Sequence, residues 1–195
     1  MAKRYGKKEL PKLQVRCTST SCENGLHCFK PTPQMRRMKQ KGVCRECGLR
    51  LDNFSEISKL QLKDTDFIIN SLQHETWRHY FWYHIDLDQW AINYAYRKGK
   101  TNLKIAIQER LKHYLKPDND FDGRQTPLQK NPIYYGQHAT ATCCRKCIEY
   151  WYNVPLNREL KTNEIDFFSN LIMVYILEKV PDLPDVGKYV PPIRS

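Results

Sequence analysis

Between His138 and Cys147 the chain reads His-Ala-Thr-Ala-Thr-Cys-Cys-Arg-Lys-Cys, which puts four soft or borderline metal ligands into ten consecutive residues. On a helix, Cys144 and Cys147 stand three apart and Cys143 and Cys147 four apart, so either pair projects from one face toward a single ion. His138 would enter from the preceding loop. A closed tetrahedral site takes four nitrogen or sulfur donors, and three cysteines with one histidine is among its usual compositions. The spacing therefore predicts a structural zinc site made by His138, Cys143, Cys144 and Cys147. Two other accounts compete with it. Cys143, activated at a helix N-terminus with His138 as its base, would make a nucleophile pair, but three clustered thiols suit one ion better than one nucleophile. A buried thiol cluster without metal is the third account.

The other five of the eight cysteines lie near the N-terminus, at Cys17, Cys22, Cys28, Cys44 and Cys47. Cys44-Arg-Glu-Cys47-Gly48 is a knuckle whose two thiolates reach one ion while the backbone amides of the turn point at the sulfurs, and Gly48 tolerates the left-handed backbone that closes it. The matching half is irregular. Cys17 and Cys22 are the expected partners of Cys44 and Cys47, which leaves Cys28 as a small buried residue and His27 as a surface or backup group. A module of this size has too little core to fold without such a staple. The intervening Arg36, Arg37, Lys39 and Lys41 would sit on the exposed finger of a zinc-ribbon-like β module or a treble-clef-like unit, where charges of one sign suit phosphate contacts.

Charge separates the two halves of the chain. Of the net +11, residues 1–53 carry thirteen Lys or Arg against four Asp or Glu, and the remaining residues nineteen against seventeen. A concentrated positive field attracts polyanions, nucleic acid first and an anionic membrane surface second; the bland alternative is a lysine-rich module that is merely soluble. The basic start, residues 1–13, lacks a following apolar run and reads as an arm able to lie along phosphates, not as a secretory signal. The longest apolar stretch, Leu171 to Leu177, is far short of a membrane span. A cytoplasmic setting is expected, where clustered cysteines argue for metal over disulfides; four disulfides are the account that a secreted chain would require.

From Phe54 the periodicity turns helical. Asp64-Thr65-Asp66 is a capping signal before Phe67, Ile68, Leu72, Trp77, Tyr80, Phe81 and His84, so one helix, broken near His74, is expected over 66–84. Its aromatic stripe is core material first and a base-stacking surface second. A helix over 87–98 ends at Gly99, and another runs from Thr101 to about Leu115 on Leu103, Ile107 and Leu111 before Pro117. This pair has only the outline of a helix-turn-helix. An extended connection leads through Pro132 to His138. Thr162 or Asn163 should cap a last, nearly all-apolar helix at the centre of the domain, and the proline-rich tail 181–195 should be disordered or extended.

Asp118, Asp120 and Asp122 invite a calcium or magnesium reading, but Gln129 stands where a calcium hand needs a bidentate Glu, and a polar loop is the reading preferred. Asp122-Gly-Arg-Gln-Thr-Pro127, followed by Gln137-His-Ala-Thr-Ala-Thr-Cys-Cys-Arg145, Cys147 and Trp151, resembles a family of small bacterial and viral proteins called domain of unknown function 4186. The likeness runs over residues 118–180 and leaves the N-terminal cysteines outside. It implies that His138, Cys143, Cys144 and Cys147 are a characteristic feature of the domain, and it carries no activity. Where that family usually has a His before the acidic loop, this chain has Ile105 or Ala106, so no further ligand is inferred there.

These readings combine into a mainly α protein: an arm at 1–13, a zinc-ribbon-like module at 14–53, a helical domain at 54–180 with its own Cys/His site, and a tail at 181–195. Two zinc ions and a nucleic-acid partner are expected, with a protein partner as a further option. The competing functions are a metal-dependent nuclease using Asp118, Asp120 and Asp122, another nucleic-acid-modifying enzyme, and an interaction adaptor.

Overall fold

The computed structural model describes residues 15–52, 54–57, 59, 65–117, 119–120 and 122–193. Eight α-helices lie among them: α1 Pro33–Arg37, α2 Phe54–Ile57, α3 Thr65–Gln73, α4 Thr76–Tyr83, α5 Gln89–Tyr114, α6 Pro132–Ala139, α7 Arg145–Tyr152 and α8 Thr162–Lys179. The mainly helical class is as expected, and the break near His74 falls where α3 gives way to α4. The capping signal at Asp64 and the arm at 1–13 lie outside the described residues. None of the described helices is long and apolar enough to cross a membrane.

The nearly uniform apolar character of α8 makes it the helix that others cover. Phe167, Phe168, Leu171, Ile172, Tyr175 and Ile176 are buried, and α5 and α6 pack against it. Each such side chain contributes about 1.5–3 kcal/mol on removal from water. Its start differs from expectation. Lys161, not Thr162 or Asn163, holds the capping position, and Glu164 one turn on reaches back to the Lys161 N–H at 2.8 Å while Arg158 forks onto the same carboxylate at 2.8 and 2.6 Å. A carboxylate in the first turn supplies both an acceptor and the charge that the helix dipole favours.

Helix α5 carries the two segments expected on either side of Gly99 as one kinked element. Gly99 has φ 66°, outside helical space, and a Cβ there would fall 2.5 Å from the Gly187 nitrogen. Over residues 184–188 the tail is therefore extended and packed against α5. Pro184 and Asp185 carbonyls accept from the N–H groups of Lys100 and Thr101, and Lys188 N–H donates to the Tyr96 carbonyl. The kink frees backbone donors, and the tail satisfies them.

Helix α6 replaces the extended connection predicted before His138. Asn131 accepts from the Ile133 N–H at 3.0 Å and Pro132 occupies the first helical position, so the start signal was present in the sequence.

The N-terminal segment forms no zinc-ribbon β module. Among the described residues its pairing is limited to isolated bridges, Ser21 with Leu26, Val43 with Arg50, and His27 with Glu75 of the helical body. Pro31 and Pro33 deny a ladder its donors, and Thr32 accepts from Met35 N–H to start α1 where the exposed finger was expected. Nor is the segment set apart. Phe29 and Cys44 share one apolar core with the helices, Phe54 meets Tyr150 and Trp151 at 5.4 Å, and the Tyr150 hydroxyl accepts from Gly42 N–H at 2.9 Å.

Gly99→Ala should cost about 1–3 kcal/mol, because the new side chain meets both a left-handed backbone and the tail. Urea denaturation monitored by circular dichroism measures it, and an unchanged midpoint would contradict the packed tail.

Candidate metal centres

The knuckle forms as its spacing requires. Gly48 at φ 77° closes the turn, its N–H donating to Cys44 O at 3.1 Å. Across from it, a turn at Cys22–Asn24 and the strand-like segment through His27 bring in the other donors. Cys22, His27, Cys44 and Cys47 have ligand atoms all within 4.8 Å of one another, with Cys22 and Cys44 sulfurs 3.8 Å apart and Cys47 Sγ 3.4 Å from His27 Nδ1. These four residues could hold a metal ion. His27 thus takes the place expected for Cys17. Cys17 is exposed, and its sulfur accepts from Lys30 Nζ at 3.1 Å; Cys28 is fully buried, as expected of the spare thiol.

The thiols of this set are pulled in opposite directions. Burial would push Cys44 up, but backbone hydrogen bonds at Cys47, Cys28 and Glu46, with the His27 ring, bring it down to about 6. Cys22 is pushed up to about 12 by desolvation and by its neighbours Cys47 and Cys44. Sulfurs this close cannot all ionise without a cation to share.

The second group is Cys143, Cys144 and Cys147, again with sulfurs within 4.8 Å of one another. Cys144 is the N-terminal cap of α7, its sulfur accepting from Cys147 N–H at 3.4 Å, and the Cys143 and Cys147 sulfurs are 3.7 Å apart. The preceding threonines are buried but bonded. Thr140 Oγ1 donates to Gly136 O at 2.7 Å, Thr142 accepts from Gln137 through its carbonyl at 3.0 Å, and Thr126 Oγ1 donates to Cys143 O at 2.8 Å. Ala141 takes φ 56° between them, which folds the segment back so that Cys143 and Cys147 meet.

A buried arginine faces the sulfurs. Arg78 donates from NH2 to Cys147 Sγ at 3.5 Å, approaches Cys143 Sγ at 4.0 Å, donates to His138 O at 2.5 Å, and pairs through Nε with Glu75 at 2.9 Å. The guanidinium stays charged despite its burial, held by Glu75 and the thiols, and burial lifts the Glu75 carboxyl to about 7 against the pull of Arg78. Hydrogen bonds from Cys144 and Cys147, helped by Arg78, hold Cys143 far below an ordinary thiol, while Cys144 and Cys147 are raised beside it. Glu75 and Arg78 escaped sequence reasoning; the signal was a pair of opposite charges three apart at the start of an otherwise aromatic helix.

His138 stands beside this group and outside the 4.8 Å set. It belongs to α6, not to a loop, and its ring stacks on Phe81 at 5.0 Å and meets Trp77 edge-on at 5.8 Å. Burial and the Arg78 charge lower it to about 4, so it is neutral at pH 7.

The remaining expected residues scatter. Arg36, Arg37 and Lys39 are exposed on and just after α1, whereas Lys41 turns back to Glu149 at 3.6 Å and to Asn153 at 3.2 Å. Asp118 lies outside the described residues, and Asp120 is exposed. Asp122 accepts from the N–H groups of Arg145 at 2.7 Å and Lys146 at 3.2 Å, capping α7. Of this acidic trio, Asp122 is thus engaged as a helix cap.

Fold and sites together define a small helical protein with two cysteine-rich groups able to hold metal. The chain belongs to the family described as Domain of unknown function (DUF4186), whose model matches residues 66–177. The second group lies inside the matched span and the first outside it. No solved structure matches the chain.

Replacing Arg78 with Met removes the partner of a buried carboxylate and the donor to two sulfurs, and should destabilise the fold by roughly 3–5 kcal/mol. In thermal unfolding, Glu75→Gln with Arg78→Met should lose less than Arg78→Met alone; an equal or larger loss would contradict the pairing.

Proposed function

We propose that the protein is a zinc-containing nucleic-acid-binding protein of accessory rather than catalytic character, with one ion in each cysteine group. The observation that carries the zinc reading is the spacing of donors in the first group. Sulfurs at about 2.3 Å from a tetrahedral ion lie about 3.8 Å apart, and a sulfur and a nitrogen at about 2.0–2.1 Å lie about 3.5 Å apart. The separations here are 3.8 Å and 3.4 Å. Cys22, His27, Cys44 and Cys47 complete four donors, so the ion would staple the N-terminal segment. Cys143 and Cys147 at 3.7 Å fit the same edge.

The polyanion reading rests on charge. The net +11 is concentrated before residue 54, and Arg36, Arg37 and Lys39 are exposed with no ion pair among the described residues. Phosphate contacts of this sort give affinity without base specificity. A cytoplasmic setting goes with this proposal, since free clustered thiolates persist where the medium is reducing.

Metal analysis of the purified chain should find two zinc ions, falling to one in Cys44→Ser and to one in Cys144→Ser. Binding to a fluorescent oligonucleotide should weaken steeply with salt. Replacing Arg36, Arg37 and Lys39 with Ala should lower the salt slope by about 0.9 for each duplex phosphate that is no longer neutralised. Binding insensitive to salt would favour a protein-interaction role instead.

A further inference from the structure

We propose that His138 is the fourth donor to the metal held by Cys143, Cys144 and Cys147, binding through Nδ1 and closing that site. The inference deepens the zinc reading and rests on it.

Three thiolates leave one position of a tetrahedral ion to fill. The second group has a donor in waiting. His138 Nε2 faces the carbonyls of Thr126 at 3.3 Å and Pro127 at 3.1 Å, so it carries the ring proton and the lone pair is left on Nδ1. That Nδ1 is buried and has no hydrogen-bond partner. An acceptor stripped of water and left unpaired costs about 1–3 kcal/mol, which a bound cation would recover. A ligating histidine usually has its other ring nitrogen held by a carbonyl, which sets the tautomer and the ring plane, and that half of the arrangement is in place.

Position agrees with chemistry. A single Arg78 nitrogen donates to the His138 carbonyl oxygen and approaches Cys143 Sγ at 4.0 Å, so the His138 backbone and the sulfur group flank the same buried guanidinium. The ring lies outside the 4.8 Å sulfur group, so the proposal requires it to move toward the sulfurs when the ion binds. The other donors in the neighbourhood are engaged elsewhere. Cys17 pairs with Lys30, Cys28 donates to Cys17 O at 3.5 Å, Glu75 pairs with Arg78, and Asp122 caps α7. Three thiolates and one neutral imidazole around Zn2+ leave a single negative charge, and Arg78 is the buried cation beside it. A closed set has no position for an activated water, which separates this site from hydrolytic zinc.

The full chain, labelled with nitrogen-15 histidine and loaded with cadmium-113, tests the assignment by NMR. Scalar splitting by cadmium should appear on Nδ1 of both His27 and His138. Two bound ions with splitting on His27 alone would overturn the proposal and leave the zinc reading standing; binding of no ion would remove both. In competition titrations, His138→Cys should keep the second ion. His138→Gln should weaken it by more than the roughly 10–100-fold that loss of an outer-shell partner costs, and an unchanged affinity would count against ligation.

Discussion

Crowded sulfur is the constraint on which the architecture depends. In each group the thiol sulfurs stand within 4.8 Å, two of them in each at 3.7–3.8 Å, inside or at the edge of a core built from aromatic rings. Thiolates that close repel one another, and thiols that close share protons poorly. The opposite displacements of Cys44 and Cys22, and of Cys143 and Cys144, express that conflict. A divalent cation would resolve it, and its binding free energy would become folding free energy for the segments that supply the donors.

The two groups are joined by a short bonded path. His27, a donor of the first, is zipped by its backbone to His74 and Thr76, each at 2.8 Å, at the break between α3 and α4. Glu75 at that break holds Arg78, and Arg78 reaches Cys147 and Cys143. The break that interrupts the helix therefore supplies the backbone donors and acceptors that dock the N-terminal segment. Cys22, His27, Cys44 and Cys47 lie outside the span matched by the family model, yet they are built onto a helix pair within it.

Much of this was legible from residue order. Apolar periodicity located α3, α4, both arms of α5 and α8, and the knuckle at Cys44 and Cys47 announced its own geometry. What was not legible depended on contacts distant in sequence. The choice of His27 over Cys17 is set by pairing with residues 74–76, which no local spacing encodes. The finger expected at 35–41 begins instead in the helix Pro33–Arg37, because Thr32 and Pro33 form a good helix start, a local signal that the cysteine spacing around it had masked. Asp122, placed by its sequence in a polar loop, is a helix cap for a segment more than twenty residues on. The exposed arginines of α1 were correctly placed at the surface, though Lys41 was not free: it ties the segment to α7.

X-ray absorption at the zinc edge on the purified chain is the decisive measurement, because it reports the donors around the metal without any substitution. Zinc shared by the two thiol groups requires a first shell dominated by sulfur at about 2.3 Å, with roughly three sulfurs to one nitrogen averaged over both ions. A shell made only of nitrogen and oxygen, or no zinc signal from protein purified without chelator, would contradict it.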